Sequence, residues 1–329
     1  MALSEATDQH LAALEPRVIR RRDSLEAAAV AHRYYVDGKR KSEIADELGI
    51  SRFKVARLLE LALAQGIVRI TINMPTDIDV QLGEQLAARY GITRSIVART
   101  IAGGSDVTGP LIGAACADLL IGIIEPSDVL GISWGSSLTH VVDAISSLPS
   151  CDLVQIVGGV ATVDLNVNGV ELLRRMAAKT GGRTFPLHAP LLIRSAIVAS
   201  ELRLEPGISA TTARYPQLSI ALVGIGAWDS ARSTLYGELP EAERTDLLAA
   251  GATADVCTFV LDGKGRQLTS ALLERTVGIS IAELRAVPTV IAVAGGEEKV
   301  EAIAAALASG IIGTLVTDSI TASALLARD

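Results

Sequence analysis

The chain has few of the residues that build disulfide frameworks, metal centres or aromatic pockets. Its 329 residues include three cysteines and four histidines, and only 3% are aromatic. The cysteines are odd in number and form no CxxC pair, so Cys116, Cys151 and Cys257 are expected to be reduced, buried thiols of a cytoplasmic protein. The histidines are scattered without metal-ligand spacing. We therefore expect no metal and no other cofactor.

Long apolar runs are absent as well. The longest uncharged stretch, residues 302–317, is shorter than the ~18 apolar residues that span a bilayer and contains glycines. The N-terminal segment has Glu5, Asp8 and Glu15 where a signal peptide would have its apolar core. These absences predict a soluble chain without a membrane partner.

Charge is distributed unevenly along the chain. The formal net charge is −7, but residues 17–57 contain eleven Lys and Arg against six Asp and Glu, a net of +5. The remainder of the chain is therefore acidic. A basic N-terminal segment in an otherwise acidic chain is typical of a protein in which one small module contacts nucleic-acid phosphates.

The residues that are abundant favour an α/β architecture. Hydrophobic residues make up 49% of the chain. From about residue 80 onward, short β-branched runs alternate with helical patterns, which predicts a mostly parallel, doubly wound, Rossmann-like sheet. The expected strands cover residues 95–99, 128–133, 153–157, 183–187, 218–223, 256–261, 289–293 and 314–316. The expected helices cover residues 78–90, 110–124, 137–147, 170–179 and 297–308.

Three segments are expected. Residues 1–24 are polar, end in three arginines and are interpreted as a flexible N-terminal arm. Residues 25–75 form a compact helical domain whose final strand, residues 67–72, resembles a small wing. Pro75 breaks the pattern, because proline cannot continue a central strand. Residues 76–329 form the α/β domain.

Residues 41–58 have the pattern of a helix-turn-helix. Ala45 allows two helices to cross closely, Gly49 allows a left-handed turn, and Ser51 is a good N-cap for the second helix. The expected inner faces are Ile44 and Leu48 on the first helix, and Val55 and Leu58 on the second. The candidate DNA-binding residues are Ser42, Ser51, Arg52, Phe53, Lys54 and Arg57. The alternative is an ordinary helical hairpin with a solvated, charged face.

Several blocks keep their order along the chain and together carry a family resemblance. They are residues 61–68, the loop Gly-Ile-Ser-Trp-Gly-Ser-Ser-Leu at 131–138, and residues 157–159, 187–190, 222–226, 295–299 and 315–318. The chain resembles the SorC family of sugar-binding transcriptional regulators, close to the group called DeoR-type. The resemblance implies an effector domain related to sugar-phosphate isomerases and glucosamine-phosphate deaminases. It also implies oligomerisation through this domain as a dimer of dimers, a homotetramer.

The loop at 134–137 is the strongest candidate for effector binding. It follows a strand and opens a helix, and a helix N-terminus with unpaired N–H groups favours an anion. Gly135 lets a ligand approach the backbone, and Ser136 and Ser137 add hydroxyl donors. The alternative is a plain turn with Ser137 as the N-cap. Many relatives have threonine at that position.

Further candidates lie where strands end, because ligands of open α/β sheets bind there. They are Gly131, Ser133, Trp134, Gly158, Gly159, Asn166, Gly224 and Gly226. Close packing is the alternative for Gly158 and Gly159. Asp255, placed just before a strand, corresponds by resemblance to an acidic residue that meets sugar hydroxyls. Lys299 could reach a phosphate from a helix. Both could equally be surface residues.

These observations predict a transcription regulator whose binding to operator DNA is controlled by a phosphorylated sugar or polyol. Whether it represses or activates is open, as are the operator and the sugar. One alternative is a sugar-phosphate enzyme carrying a DNA-binding head. The loops hold no paired catalytic groups, and His140 and His188 are isolated, so no catalytic residue is predicted. A constitutive DNA-binding scaffold is the other alternative.

Overall fold

The computed structural model describes residues 23–70, 77–100, 105–160, 169–229 and 231–328, with the side chains of residues 105 and 106 left out. The chain divides into two compact units, with the boundary between Ile72 and Asn73. Of the expected N-terminal arm, residues 1–22 lie outside the described residues. Residues 23 and 24, which the sequence analysis assigned to the arm, belong to a helix.

The first unit is helical. Helix α1 covers residues 23–31 and continues as a π-helical turn, His32–Val36. Helices α2, Lys41–Leu48, and α3, Arg52–Ala64, follow. Gly49 ends α2 in the left-handed conformation at φ 63°, and Ser51 Oγ accepts a hydrogen bond from Lys54 N at 3.2 Å. The unit's buried core contains Ala27, Val30, Ala31, Ile44, Ala45, Val55, Leu58, Leu59 and Ala62.

Two expectations for this unit were wrong. Leu48, assigned to the inner face of the first helix, is 37% exposed and is the last residue of α2. The wing strand is not formed at residues 67–70. Its other two residues, 71 and 72, lie outside the described residues.

The second unit is built on a parallel sheet of seven strands. They are β1 Arg94–Ala98, β2 Val129–Ile132, β3 Asp152–Gln155, β4 Thr184–Phe185, β5 Ile220–Gly224, β9 Thr289–Val293 and β10 Thr314–Asp318. Their order across the sheet is β1-β10-β9-β5-β2-β3-β4, and every pair is parallel.

Helices cover both faces of this sheet. On β5, Ile220 and Leu222 pack with α5, α6 and α7, whereas Ala221 and Val223 share the opposite cluster with α14. This alternation buries both faces, as a parallel sheet requires. The helices are α4 Val80–Tyr90, α5 Ser105–Ile123, α6 Ser136–Ala144, α7 Gly169–Thr180, α8 Ala196–Leu204, α9 Pro206–Thr212, α10 Thr234–Glu238, α11 Glu241–Ala249, α12 Leu272–Arg275, α13 Ile281–Ala286, α14 Val300–Ala308 and α15 Ser319–Leu326.

A small antiparallel sheet stands beside the large one. It consists of β6 Gly226–Ala227, β7 Ala252–Val256 and β8 Phe259–Asp262. The single strand expected at residues 256–261 is therefore wrong: the chain turns at Cys257 and Thr258. Cys257 has φ 55°, a left-handed conformation that the sequence pattern would assign to glycine or asparagine.

The strand order places the switch point of the fold between β2 and β5. Strands β2, β3 and β4 follow one another toward one edge, and β5, β9 and β10 follow toward the other. The loops at the carboxyl ends of β2 and β5 therefore diverge and leave a crevice, which is where open α/β sheets bind ligands. Among the described residues, no helix is both long and apolar enough to cross a membrane.

Candidate effector cavity and DNA-contacting helix

A cavity that is open to solvent lies at this switch point. Its walls come from the loop after β2, the start of α6, the β5–β6 connection, β7 and the turn before α14. Most of the candidate effector residues line it: Ser133, Trp134, Gly135, Ser136, Ser137, Gly224, Gly226, Asp255 and Lys299. The fold thus brings together residues that are up to 166 positions apart in the chain.

Three candidate glycines do not lie on the cavity wall. A Cβ at Gly131 would lie 2.9 Å from Ile156 Cγ2, so this glycine serves close packing within the sheet. A Cβ at Gly158 would lie 2.7 Å from the Pro190 carbonyl oxygen, and Gly159 N donates to Ala189 O at 2.8 Å. The packing alternative therefore describes Gly158, whereas a Cβ at Gly159 would approach nothing closer than Ala189 O at 3.9 Å. Asn166 lies outside the described residues.

Helix α6 begins at the cavity without a side-chain cap. Its N-cap is Gly135, at φ 135° and ψ 165°, and no side-chain hydrogen bond closes the first turn. The alternative with Ser137 as N-cap is therefore wrong. A Cβ at Gly135 would meet nothing within 4 Å, so the backbone here faces open space. The first N–H groups of α6 and two serine hydroxyls have no acceptor among the described residues, so they can donate to a ligand.

Trp134 fixes the loop that leads into α6. Its indole Nε1 donates to Gly158 O at 2.9 Å, which ties the end of β2 to the segment after β3. Gly158 is thus connected to the cavity as an acceptor that holds the tryptophan, although it does not line the wall.

Asp255 is the most unusual group in the cavity. It lies within β7, not before a strand as expected, and pairs with Gly226 of β6. It is only 9% exposed, and its Oδ1 has no hydrogen-bond partner among the described residues. A Cβ at residue 226 would lie 2.3 Å from that oxygen, so glycine is required there. The surface alternative for Asp255 is wrong.

Burial favours the neutral form of both Asp255 and Lys299, and the charge of each group opposes that effect on the other. Burial raises the pKa of Asp255 to about 6, and the Ser233 hydrogen bond and the Lys299 charge oppose this rise. Burial lowers the pKa of Lys299, and the negative charge of Asp255 opposes that change. Lys299 Nζ donates to Ile225 O at 3.2 Å, from the 3-10 turn Glu297–Lys299 that precedes α14. It is half-buried and is not a surface lysine.

The cavity wall also contains residues that sequence reasoning missed. Arg232, Thr234 and Cys257 line it, and Arg232 forms an ion pair with Asp229 at 2.7 Å. Cys257 is half-buried, unlike Cys116 and Cys151, and burial raises its pKa, which keeps the thiol protonated. No local pattern marks these three residues. Arg232 comes from the segment between β6 and α10, Thr234 is the first residue of α10, and Cys257 comes from the turn between β7 and β8.

A second lobe adjoins the cavity across Ser136, Ser137 and Lys299, and His140 forms part of its wall. The imidazole packs on α5, where a Cβ at Gly109 would lie 2.6 Å from ring atoms Cδ2 and Nε2. Burial lowers the pKa of His140, and Asp143 opposes this. His140 therefore combines a packing role with a place at the edge of the site, whereas His188 is exposed.

The candidate DNA-binding residues lie on α2, at the N-cap of α3 and on α3 itself. All of them are exposed: Ser42, Ser51, Arg52, Phe53, Lys54 and Arg57. Lys54 Nζ lies 2.9 Å from Glu26 Oε2, and Arg57 has no ion pair with any described residue. Val55 and Leu58 are buried on the opposite side of α3. The helix therefore has one face in the core and one cationic face in solvent.

Comparison with known proteins agrees with this two-part architecture. A family model described as "Putative sugar-binding domain" matches residues 75–327. Transcriptional regulator LsrR of Klebsiella pneumoniae subsp. pneumoniae is 32% identical over 309 residues, covering 91% of this chain and 92% of that protein. The full-length sorbitol operon regulator SorC from Klebsiella pneumoniae has a TM-score of 0.70 and 28% identity, covering 92% of this chain and 99% of that one.

A second solved structure, the probable sor operon regulator from Shigella flexneri, has a TM-score of 0.70 and 27% identity over 75% of this chain and 98% of its own. These matches define a transcriptional regulator with a sugar-binding domain and not an enzyme. The chain belongs to the SorC family of sugar-binding transcriptional regulators. The expected α/β class, with an N-terminal helical unit that fits a helix-turn-helix domain, is confirmed.

Proposed function

We propose that the protein binds operator DNA through α3 and that a small phosphorylated sugar or polyol in the switch-point cavity controls this binding. One observation carries the proposal. The cavity combines an uncapped helix start and two cationic side chains with a buried carboxylate. These groups match the two ends of a phosphorylated polyol.

The phosphate end is the start of α6. The hydroxyls of Ser136 and Ser137 have no hydrogen-bond partner among the described residues, and Lys299 and Arg232 stand on the same walls. Backbone N–H groups at a helix N-terminus, hydroxyl donors and cations each favour an anion. Together they support a phosphate at this end.

The polyol end is Asp255. Above its raised pKa the carboxylate carries a charge, and Oδ1 is buried without a donor. A buried acceptor without a partner is unfavourable by about 1–3 kcal/mol, so a ligand hydroxyl that donates to it gains that energy. A carboxylate also accepts two hydrogen bonds from a diol, which supports a ligand rich in hydroxyls.

A thermal-shift panel tests the ligand class. Phosphorylated tetroses, pentoses and hexoses are each compared with the dephosphorylated compound. The matching phosphate at 100 times its Kd should stabilise the folded protein by about 2.7 kcal/mol, which raises the melting temperature by several degrees. The same ligand should change operator affinity in a gel-shift assay. A neutral sugar that shifts the melting temperature as much would contradict the phosphate assignment. No shift with any compound would favour the constitutive scaffold.

Arg57→Ala should weaken operator binding. If Arg57 contacts a phosphate, the slope of log K against log salt should fall by about 0.9; if it reads a guanine, discrimination at one base pair should fall by ~1–3 kcal/mol. Arg174→Ala, which removes an exposed arginine on α7, is the charge-matched control. Fluorescence anisotropy with the parental operator and its base-pair variants, across a salt series, measures the salt slope and the base discrimination of each protein. If Arg52→Ala, Lys54→Ala and Arg57→Ala all bind like the parent protein, α3 is not the recognition helix.

The active form should be at least a dimer, and by family resemblance a tetramer, working in the cytoplasm where the operator lies. One recognition helix covers a half-site, and specific affinity generally needs two half-sites related by symmetry. Light scattering at micromolar concentration measures the mass. A monomer with full operator affinity would overturn this expectation.

A further inference from the structure

Among the described residues, nothing accounts for the exposed side chain of Phe53. It is 89% exposed, more than any other large hydrophobic side chain among the described residues. The chain has only three phenylalanines, and of the other two Phe259 is 2% exposed and Phe185 is half-buried. An aromatic side chain held in water gives up the apolar burial that it could otherwise contribute, about 25 cal/mol per Å².

The position of Phe53 on α3 explains why it cannot reach the core. It is the second residue of the helix, two positions before Val55, which is completely buried. Residues two apart on a helix lie on opposite sides. Phenylalanine is also a mediocre helix former, so helix propensity does not account for it. The side chain is therefore placed to contact something outside the unit.

The neighbours of Phe53 define the chemistry of that contact. Arg52 and Lys54 flank it, and Arg57 stands one turn later on the same face. An occupant must carry negative charge and must also present a small apolar group between the charges. The major groove of DNA meets both requirements, because phosphates border it and the thymine C5-methyl is its main apolar feature.

We propose that Phe53 reads a thymine methyl group in each operator half-site. This inference rests on the proposed DNA-binding function and goes beyond it by naming the base. The helix start is the part of a recognition helix that contacts base edges, and Phe53 lies within the first turn of α3. Arg52 and Arg57 supply positive charge beside it, and Phe53 selects the thymine.

Replacing thymine by deoxyuracil removes the methyl and leaves every hydrogen-bonding group in place. An operator duplex is first selected from a random library with the full chain, and each thymine is then exchanged in turn. Burying one methyl is worth about fourfold in affinity. The parent protein should therefore lose about fourfold at one thymine per half-site, and about fifteenfold when both symmetric thymines are exchanged.

Phe53→Ala should bind the thymine duplex more weakly and should bind the thymine and uracil duplexes equally. Arg57→Ala is the matched control: it should weaken binding to both duplexes and keep the ratio between them. If the parent protein binds its selected operator with no methyl-sensitive position, or if Phe53→Ala keeps the full ratio, the inference is wrong while DNA binding stands. If the chain selects no duplex, the proposed function fails and this inference with it.

Discussion

Asp255→Asn should make the unliganded protein more stable above pH 7 and should weaken its effector binding at least tenfold. Burial raises the pKa of this carboxyl from 3.8 to about 6, so the folded state disfavours the charged form. A carboxyl whose pKa rises on folding stabilises the fold fully below its unfolded pKa. That contribution is lost as the pH rises through about 6. The neutral amide of the variant cannot ionise and avoids this loss. The loss corresponds to at most about 3 kcal/mol in the free energy of unfolding.

Melting curves at a series of pH values test the stability half of this prediction. The advantage of Asp255→Asn should be largest at pH 8 and should shrink as the pH falls through 6. The matched control is Asp262→Asn on the neighbouring strand β8. Asp262 is 8% exposed, but it accepts hydrogen bonds from Lys264 N and Arg266 N, and these contacts lower its pKa. Its amide variant should therefore be less stable than the parent protein.

Effector binding should change in the opposite direction to stability. The amide removes the charge and one acceptor from the polyol end of the cavity, and a hydrogen bond to a charged group is worth about 1.5–3 kcal/mol. Titration calorimetry with the sugar phosphate found in the thermal-shift panel measures the loss. A variant that is less stable at pH 8 and binds the ligand unchanged would show that Asp255 is only a structural residue.

Replacing Ser136 and Ser137 together by alanine should remove most of the effector response and leave operator binding without effector intact. The two hydroxyls have no other partner among the described residues, so their loss removes two donors to a charged group. Each donor is worth ~1.5–3 kcal/mol, and the affinity should fall at least tenfold. Alanine is a good helix former, so the start of α6 should persist.

The control for this pair is Ser200→Ala, which removes an exposed serine hydroxyl from α8. It should bind the effector like the parent protein. The dephosphorylated sugar should bind the parent protein more weakly than the phosphorylated sugar does. Its affinities for the parent protein and for the double variant should differ less than those of the phosphorylated sugar. If the double variant still responds to the phosphorylated ligand with normal affinity, the loop from Trp134 to Ser137 is only a helix start.

Local signals predicted a large part of this structure. Gly49 and Ser51 located the turn between α2 and α3, and the run of residues 289–293 coincides with β9. Trp134 to Ser137 were expected to open a helix, and α6 begins at Ser136. In each of these cases the residues that determine the conformation are neighbours in the chain.

Features that depend on distant residues could not be predicted in this way. The pairing of Gly226 with Asp255 joins segments 29 residues apart, and nothing in either segment alone indicates the partner. The turn at Cys257 has no glycine or proline, so the sequence there resembles one continuous strand. Arg232 reaches the cavity from the segment between β6 and α10, which no local pattern marks. The walls of the site are therefore less predictable than the elements that support them.

The cavity walls come from segments that are well separated in the chain, near residues 133–138, 157, 224–226, 232–234, 255–257 and 299. Contacts of such long sequence separation form late and slowly during folding, because each closes a large loop. A nascent chain that ends before β9 would hold the start of α6 and Asp255 but not Lys299. Effector recognition is thus a property of the completed domain, and ligand affinity reports whether the segment from β9 to the last helix has docked.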